Sequence, residues 1–257
     1  MSDEPLLAVR DLVISYGEKP AVHGVSFSLR RGEILVLAGE SGSGKSTILR
    51  SIIGLPDVKS AVREGEILWQ GTDLLRLAAD ERRRIAGAEI ALIFQNAGAA
   101  FCPVRTIGSQ LYESVRAHVS WSYDDFRGRA ETLMAQLQLP TSVLDEYPFR
   151  LSGGMAQRAG IAAAMLLQPR LILADEPTSA LDSLTQVRVA KELMALRRRT
   201  GVAILLVTHH MGLAYHMADS ILVMRRGEMV EYGTREEIFR HAKKAYTKEL
   251  IAAVPRL

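Results

Sequence analysis

The sequence predicts an α/β fold: a core with a mostly parallel sheet, an antiparallel β subdomain near the N-terminus and an inserted helical subdomain. Three observations carry this expectation. Residues 34–38 form a continuous apolar run, the pattern of a strand buried on both faces, and a glycine-rich segment and then a helix-periodic stretch follow it directly. Apolar runs return at residues 171–174, 204–207 and 221–224 with helical patterns between them, an order that calls for parallel crossover connections. Between Gln95 and Arg170 little reads as strand, so that stretch is expected to be a helical insertion.

Taken in order, residues 7–9, 12–15 and 25–29 are short strand-like runs separated by turns that contain Gly and Pro, which suits the antiparallel subdomain. Residues 45–53 place Ile48, Leu49, Ile52 and Ile53 at helical spacing. Residues 124–139 carry Phe126, Ala130, Leu133, Met134 and Leu137 along one face of an amphipathic helix. Residues 184–196 are a further helix. The Arg-rich patches 82–84 and 197–199 are expected to be solvated helix faces. The resulting organisation is a single domain over residues 1–257. Its α/β core comprises residues 1–95 and 171–235, its helical subdomain residues 96–170, and its helical tail residues 236–257.

Composition narrows the chemistry. At 257 residues the chain is long enough for a large buried core, and 48% hydrophobic with 24% charged residues is ordinary for a globular protein. The 32 basic and 29 acidic side chains leave a formal charge of +3, too small an excess to argue for a nucleic-acid partner. One cysteine, Cys102, excludes a disulfide framework and a multi-cysteine metal site. No apolar run approaches the roughly 18 residues of a membrane span, and the start Met1-Ser2-Asp3-Glu4-Pro5 does not read as a signal peptide. The expected location is therefore the cytosol, with any membrane role peripheral.

Gly39-Glu40-Ser41-Gly42-Ser43-Gly44-Lys45-Ser46 matches every fixed position of the P-loop pattern, between a predicted strand and a predicted helix. Gly39, Gly42 and Gly44 let the backbone turn so that successive N–H groups face one phosphate, and the helix beginning at Lys45, Ser46 and Thr47 adds its positive end. Lys45 supplies a point charge for the β- and γ-phosphates, and the Ser46 hydroxyl suits Mg²⁺. The run 171–174 buries a strand and delivers Asp175 and Glu176 at its C-terminal end, where open α/β sheets bind ligands. Asp175 is placed to support the magnesium shell, Glu176 to polarise the attacking water. The expected fold is thus a P-loop NTPase core with ATP and Mg²⁺ as its cofactors.

Leu151-Ser152-Gly153-Gly154-Met155-Ala156-Gln157-Arg158 resembles the signature motif of ATP-binding cassette (ABC) ATPases, and it precedes Asp175 and Glu176 as it does in that family. Ser152, Gly153 and Gly154 begin a helix and form a second anion site, which in the family closes over the partner subunit's ATP. The resemblance implies four further roles. Tyr16 is similar to the aromatic residue that stacks on adenine, although a Tyr before Gly17 also suits a turn. Gln95 resembles the glutamine that senses Mg²⁺ and links to the helical insertion. Ser179-Ala180-Leu181-Asp182 resembles the D-loop. His209 resembles the switch histidine that contacts the γ-phosphate, although a histidine at a strand end also suits a structural role. His210 stands where the family more often carries an acidic residue or Asn.

Within the family the resemblance is to the branch that imports oligopeptides, dipeptides and nickel. It rests on Gly39-Glu40-Ser41, Phe94-Gln95-Asn96, Pro103-Val104-Arg105-Thr106-Ile107, Tyr147-Pro148, Ala245-Tyr246-Thr247 and Ala252-Ala253-Val254-Pro255. Ala97 and Cys102 depart from it, standing where similar proteins often carry Pro and Asn. The resemblance implies an ATPase subunit peripheral to the cytoplasmic face of the membrane. It would pair with a second cassette subunit, a heterodimer or a homodimer, against two membrane permease subunits, and serve an extracytoplasmic solute-binding protein indirectly. The cargo would be nickel, a nickel chelate or short peptides, and no nucleic acid is expected. The rival reading is a cassette ATPase of a soluble phosphonate-degradation complex.

Overall fold

In a computed structural model of the chain, which describes residues 4–55, 61–95, 97–179 and 182–254, two units stand out by their internal packing: residues 1–82 with 201–257, and residues 83–200. Asn96, Ala180, Leu181 and Pro255 of the sequence motifs lie outside the described residues.

In the first unit, β1 (Leu7–Tyr16), β2 (Lys19–Leu29), β4 (Val62–Trp69) and β5 (Thr72–Asp73) form an antiparallel sheet in the order β2-β1-β4-β5. The two runs expected at residues 7–9 and 12–15 are one strand. Asp11 sits at φ 45 in a bulge between them, its amide donating to Ser26 Oγ (2.8 Å) and its carboxylate accepting from the same hydroxyl (3.0 Å). Across the bulge, a Cβ on Gly65 would lie 2.6 Å from the carbonyl oxygens of Arg10 and Asp11, and Gly65 has φ +98, so only glycine fits there.

The same unit holds β3 (Ile34–Gly39), parallel to β8 (Ala203–Thr208) on one side and to β9 (Ser220–Arg225) on the other, with β10 (Glu228–Thr234) antiparallel to β9. Every residue of β3 and β8 is buried, as continuous apolar runs require. Each buried Ile, Leu or Val there stabilises the fold by about 1.5–3 kcal/mol. α1 (Lys45–Ile53) leaves β3 through the glycine-rich loop and ends at Gly54, whose amide returns to Arg50 O (3.0 Å).

Arg82 departs from its expected place on a solvated helix face. It lies in α2 (Ala79–Ile85), 5% exposed, and donates to Leu74 O (2.9 Å) and to the carbonyls of Ser51 and Ile52 at the end of α1. A guanidinium satisfies those last helical carbonyls and complements the negative end of the helix. Burial lowers its pKa, with Asp73 opposing. Arg83 and Arg84 are exposed as expected, as are Arg198 and Arg199. The C-terminal part of the unit adds α7 (Met211–Met217), α8 (Arg235–His241) and α9 (Ala245–Ala252).

The second unit pairs β6 (Ile90–Ile93) with β7 (Leu171–Asp175) in parallel, Ala91 opposite Ile172. Among the described residues between 97 and 170 there is no strand. α3 (Ile107–Arg116), α4 (Tyr123–Gln136) and α5 (Gly153–Met165) fill that stretch, each started by a hydroxyl cap, from Thr106, Ser122 and Ser152. Of the apolar face read from residues 124–139, Phe126, Ala130, Met134 and Leu137 are buried and Leu133 is half-buried, and the Phe126 ring centroid lies 5.1 Å from that of Tyr112 in α3. Arg127 grips Asp145 with two parallel bonds of 2.7 Å and holds its carboxyl below the usual range. α6 (Ser183–Thr200) completes the unit. None of the helices among the described residues is long and apolar enough to cross a membrane.

Candidate functional site

The residues from Gly39 to Thr47 form one loop and one helical turn in the first unit. Gly39 has φ +145, and a Cβ on it would fall 2.1 Å from the Met224 carbonyl oxygen of β9. Gly44 has φ +95, and its Cβ would fall 2.5 Å from the carbonyl oxygen of Ala21 in β2. The loop is therefore pressed against strands on both sides and requires glycine at both points. Gly227, in the β9–β10 turn, donates to Ser43 O (3.2 Å) and fastens the loop from a third direction. Ser41 and Gly42 are exposed at the crest, with no heavy atom within 4 Å of where a Cβ on Gly42 would stand.

Inside the loop, the buried Lys45 Nζ donates to Gly39 O (2.9 Å), Glu40 O (2.7 Å) and Ser43 Oγ (3.2 Å), all uncharged acceptors. A buried ammonium beneath an open, glycine-lined crest at a helix N-terminus fits a phosphate. Ser46 and Thr47, half-buried, form the first turn of α1. The hydroxyl of Ser46 in this unit, and separately the side-chain oxygen of Gln95 and the Asp175 carboxylate in the second unit, are hard oxygen donors of the kind Mg²⁺ takes.

Tyr16 and His209 belong to the same unit but to other elements. Tyr16 ends β1 opposite Lys19, across a turn with Gly17 at φ +63, and its ring is 41% exposed. His209 follows β8 and is exposed. The next amide, that of His210, is caught by Thr208 Oγ1 (3.0 Å), so His210 begins α7 from an extended conformation.

In the second unit, β7 carries Asp175 to its C-terminal end behind four buried apolar residues. Glu176 follows at φ 44, a left-handed conformation that costs a non-glycine residue about 1–3 kcal/mol and persists only where its surroundings hold it. Those surroundings include Ser179, whose amide and hydroxyl both donate to Glu176 O (3.2 Å each), and Gln95, whose Nε2 donates to Glu176 Oε2 (3.4 Å). Gln95 and Glu176, 81 residues apart, thus meet directly.

Ser152 caps α5, its hydroxyl oxygen accepting from the Met155 amide (3.3 Å). A Cβ on Gly153 would meet nothing within 4 Å, so the helix start is open on that side. A Cβ on Gly154 would stand 3.1 Å from the Thr185 methyl. Asp182 holds Thr185 in turn, accepting from its amide (3.0 Å) and its hydroxyl (2.6 Å). The starts of α5 and α6 therefore lie side by side. Arg158, one turn on, donates to Gly154 O (3.2 Å) and Gln138 O (3.1 Å), which ties the signature helix to the end of α4.

The structure also brings in residues to which the motifs gave no role. Tyr246 and Arg225 both reach Glu40 of the glycine-rich loop. Tyr246 stands out in the sequence only as a mark of the importer branch.

The family described as ABC transporter matches residues 22–179. The metal-staphylopine import system ATP-binding protein CntD of Staphylococcus aureus is 38% identical over 256 residues, 98% of this chain and 94% of that protein. The dipeptide transport ATP-binding protein DppD of Bacillus subtilis is 40% identical over 261 residues, 99% of this chain and 78% of that protein. Among solved structures, a dimeric post-hydrolysis ATP-binding cassette bound to ADP and Pi superimposes with a TM-score of 0.78 at 28% identity, over 89% of this chain and 98% of that one.

Proposed function

This chain belongs to the ABC transporter family, as an ATP-binding, ATP-hydrolysing cassette, and from that premise we propose that it powers an importer of short peptides, nickel or a metal chelate. The observation that carries the importer reading is the near full-length similarity to a metal-chelate import subunit and a dipeptide transport subunit. Neither is a subunit of a phosphonate-degrading complex. The cassette acts at the cytoplasmic face of the membrane, against two permease subunits, with the solute-binding protein on the far side. Residues 96–170 serve as the helical subdomain that passes closure to the permease.

In this reading Gly39, Ser41, Gly42, Gly44, Lys45, Ser46 and Thr47 hold the triphosphate and Tyr16 stacks on adenine. Lys45 exchanges its uncharged acceptors for β- and γ-phosphate oxygens, a stronger charge-assisted set. Mg²⁺, bound through Ser46, Gln95 and Asp175, supplies neutralisation of the phosphate charge. Glu176 orients the attacking water and accepts its proton, while Gln95 fixes the carboxylate. His209 donates to the γ-phosphate. Ser152, Gly153 and Gly154 close over the ATP of a second cassette subunit, with Asp182 holding the neighbouring helix start. The open side of Gly153 supports that closure, because no described residue lies within 4 Å of where its Cβ would stand. Contacts to the γ-phosphate last only while ATP is intact, so hydrolysis releases the pair.

The importer assignment is tested by tagging the chain in its own cells and purifying it from detergent-solubilised membranes, with solute uptake measured alongside. The expected result is co-purification with two membrane permeases and solute uptake that stops in Glu176→Gln. Recovery solely in a soluble enzyme complex would overturn it.

A further inference from the structure

We infer that Tyr246 is a positioning residue for the phosphate-binding lysine, acting through the peptide between Gly39 and Glu40. The inference rests on the reading of residues 39–46 as the triphosphate loop. The Tyr246 hydroxyl accepts the amide N–H of Glu40 at 3.1 Å. That N–H belongs to the same planar unit as the Gly39 carbonyl, whose oxygen takes Lys45 Nζ at 2.9 Å. Holding one edge of the peptide fixes the direction of the other. The phenol on α9 thereby sets where the ammonium rests, without touching it.

Two further contacts show that Tyr246 is itself held. The Arg225 guanidinium lies 4.6 Å from the Tyr246 ring centroid, and Arg225 Nε is 3.8 Å from Glu40 Oε1. Ring, cation and carboxylate thus join α9, β9 and the loop in one cluster. At the base of α9, the Glu231 carboxylate accepts the amides of Lys243 (2.8 Å) and Lys244 (3.3 Å), and Thr247 is fully buried. Burial pushes the Glu231 carboxyl up, but these bonds outweigh it and leave its pKa below the usual range, so the anchor is an anion at neutral pH. At the far end, Val254 Cγ1 stands 3.7 Å from where a Cβ on Gly212 would be, against the turn that begins with His210. The stretch from Tyr246 to Val254 thus runs from the phosphate loop to the segment that follows His209.

Tyr246→Phe removes the acceptor and keeps the ring on Arg225. One hydrogen bond of this kind corresponds to about a 2- to 10-fold change in an equilibrium. The test is calorimetric titration of the full-length chain with Mg-ATP, with turnover and nucleotide-free thermal unfolding followed on the same preparations. ATP affinity is expected to weaken about 2- to 10-fold in Tyr246→Phe and further in Tyr246→Ala, with kcat at saturating ATP within about twofold and an unchanged unfolding temperature for Tyr246→Phe. Unchanged affinity, a fall in kcat at unchanged affinity, or an affinity loss that tracks a lowered unfolding temperature would overturn the inference. Lys45→Ala in the same titration separates the two readings. If it weakens ATP binding and Tyr246→Phe does not, this inference alone fails. If it binds as wild type, the phosphate-loop reading fails with it.

Discussion

Glu176→Gln is expected to stop turnover while ATP still binds. The substitution keeps the size and shape of the side chain and the left-handed backbone at that position, so the fold is not disturbed. It removes the carboxylate that, in the proposed mechanism, aligns water and takes its proton, an effect that typically costs about 10²–10⁴-fold in rate. The Gln95 amide that now donates to Glu176 Oε2 can bond to an amide oxygen instead, so the link between the two loops survives. Phosphate release at saturating ATP, measured beside ATP affinity, checks the expectation. A rate near wild type would remove Glu176 from the catalytic role and leave Gln95 without its partner in the chemistry.

Lys45→Ala is expected to act on binding. The lysine is buried, and its bonds to Gly39 O, Glu40 O and Ser43 Oγ are made to uncharged acceptors, so removing the ammonium costs the loop neutral hydrogen bonds there. The triphosphate loses a charge-assisted contact, and ATP affinity should fall by about 10- to 100-fold. Nucleotide titration of the variant decides this. Wild-type affinity would mean that the ammonium is only a brace for its own loop.

What could be read from the sequence was local. The strands β3 and β8 are apolar throughout, and the glycine-rich loop, the signature and the Asp175–Glu176 pair are contiguous motifs, so their place in an α/β fold followed from pattern alone. What escaped depended on partners far along the chain. Asp11 reads as a break in a strand, but Ser26 satisfies it in a bulge and β1 runs on. β4 exposes Arg63, Glu64 and Gly65, and β10 has no buried residue, so neither shows the apolar signal of a strand. Arg82 sits in an Arg-rich patch that looks solvated, yet it reaches the carbonyls of Ser51 and Ile52 about 30 residues earlier as well as that of Leu74. Tyr246 finds the loop it supports 206 residues away, a distance over which no motif extends.

The measurement that bears most directly on the central claim, that the signature of one cassette completes the ATP site of another, is the ATPase rate per chain across a wide dilution series, with molecular mass followed in parallel. The account predicts that the rate per chain collapses as assemblies dissociate to the 28.3 kDa chain, and that Ser152→Ala depresses it at every concentration. A constant rate per chain from a species that stays at 28.3 kDa throughout, matched by Ser152→Ala, would contradict it.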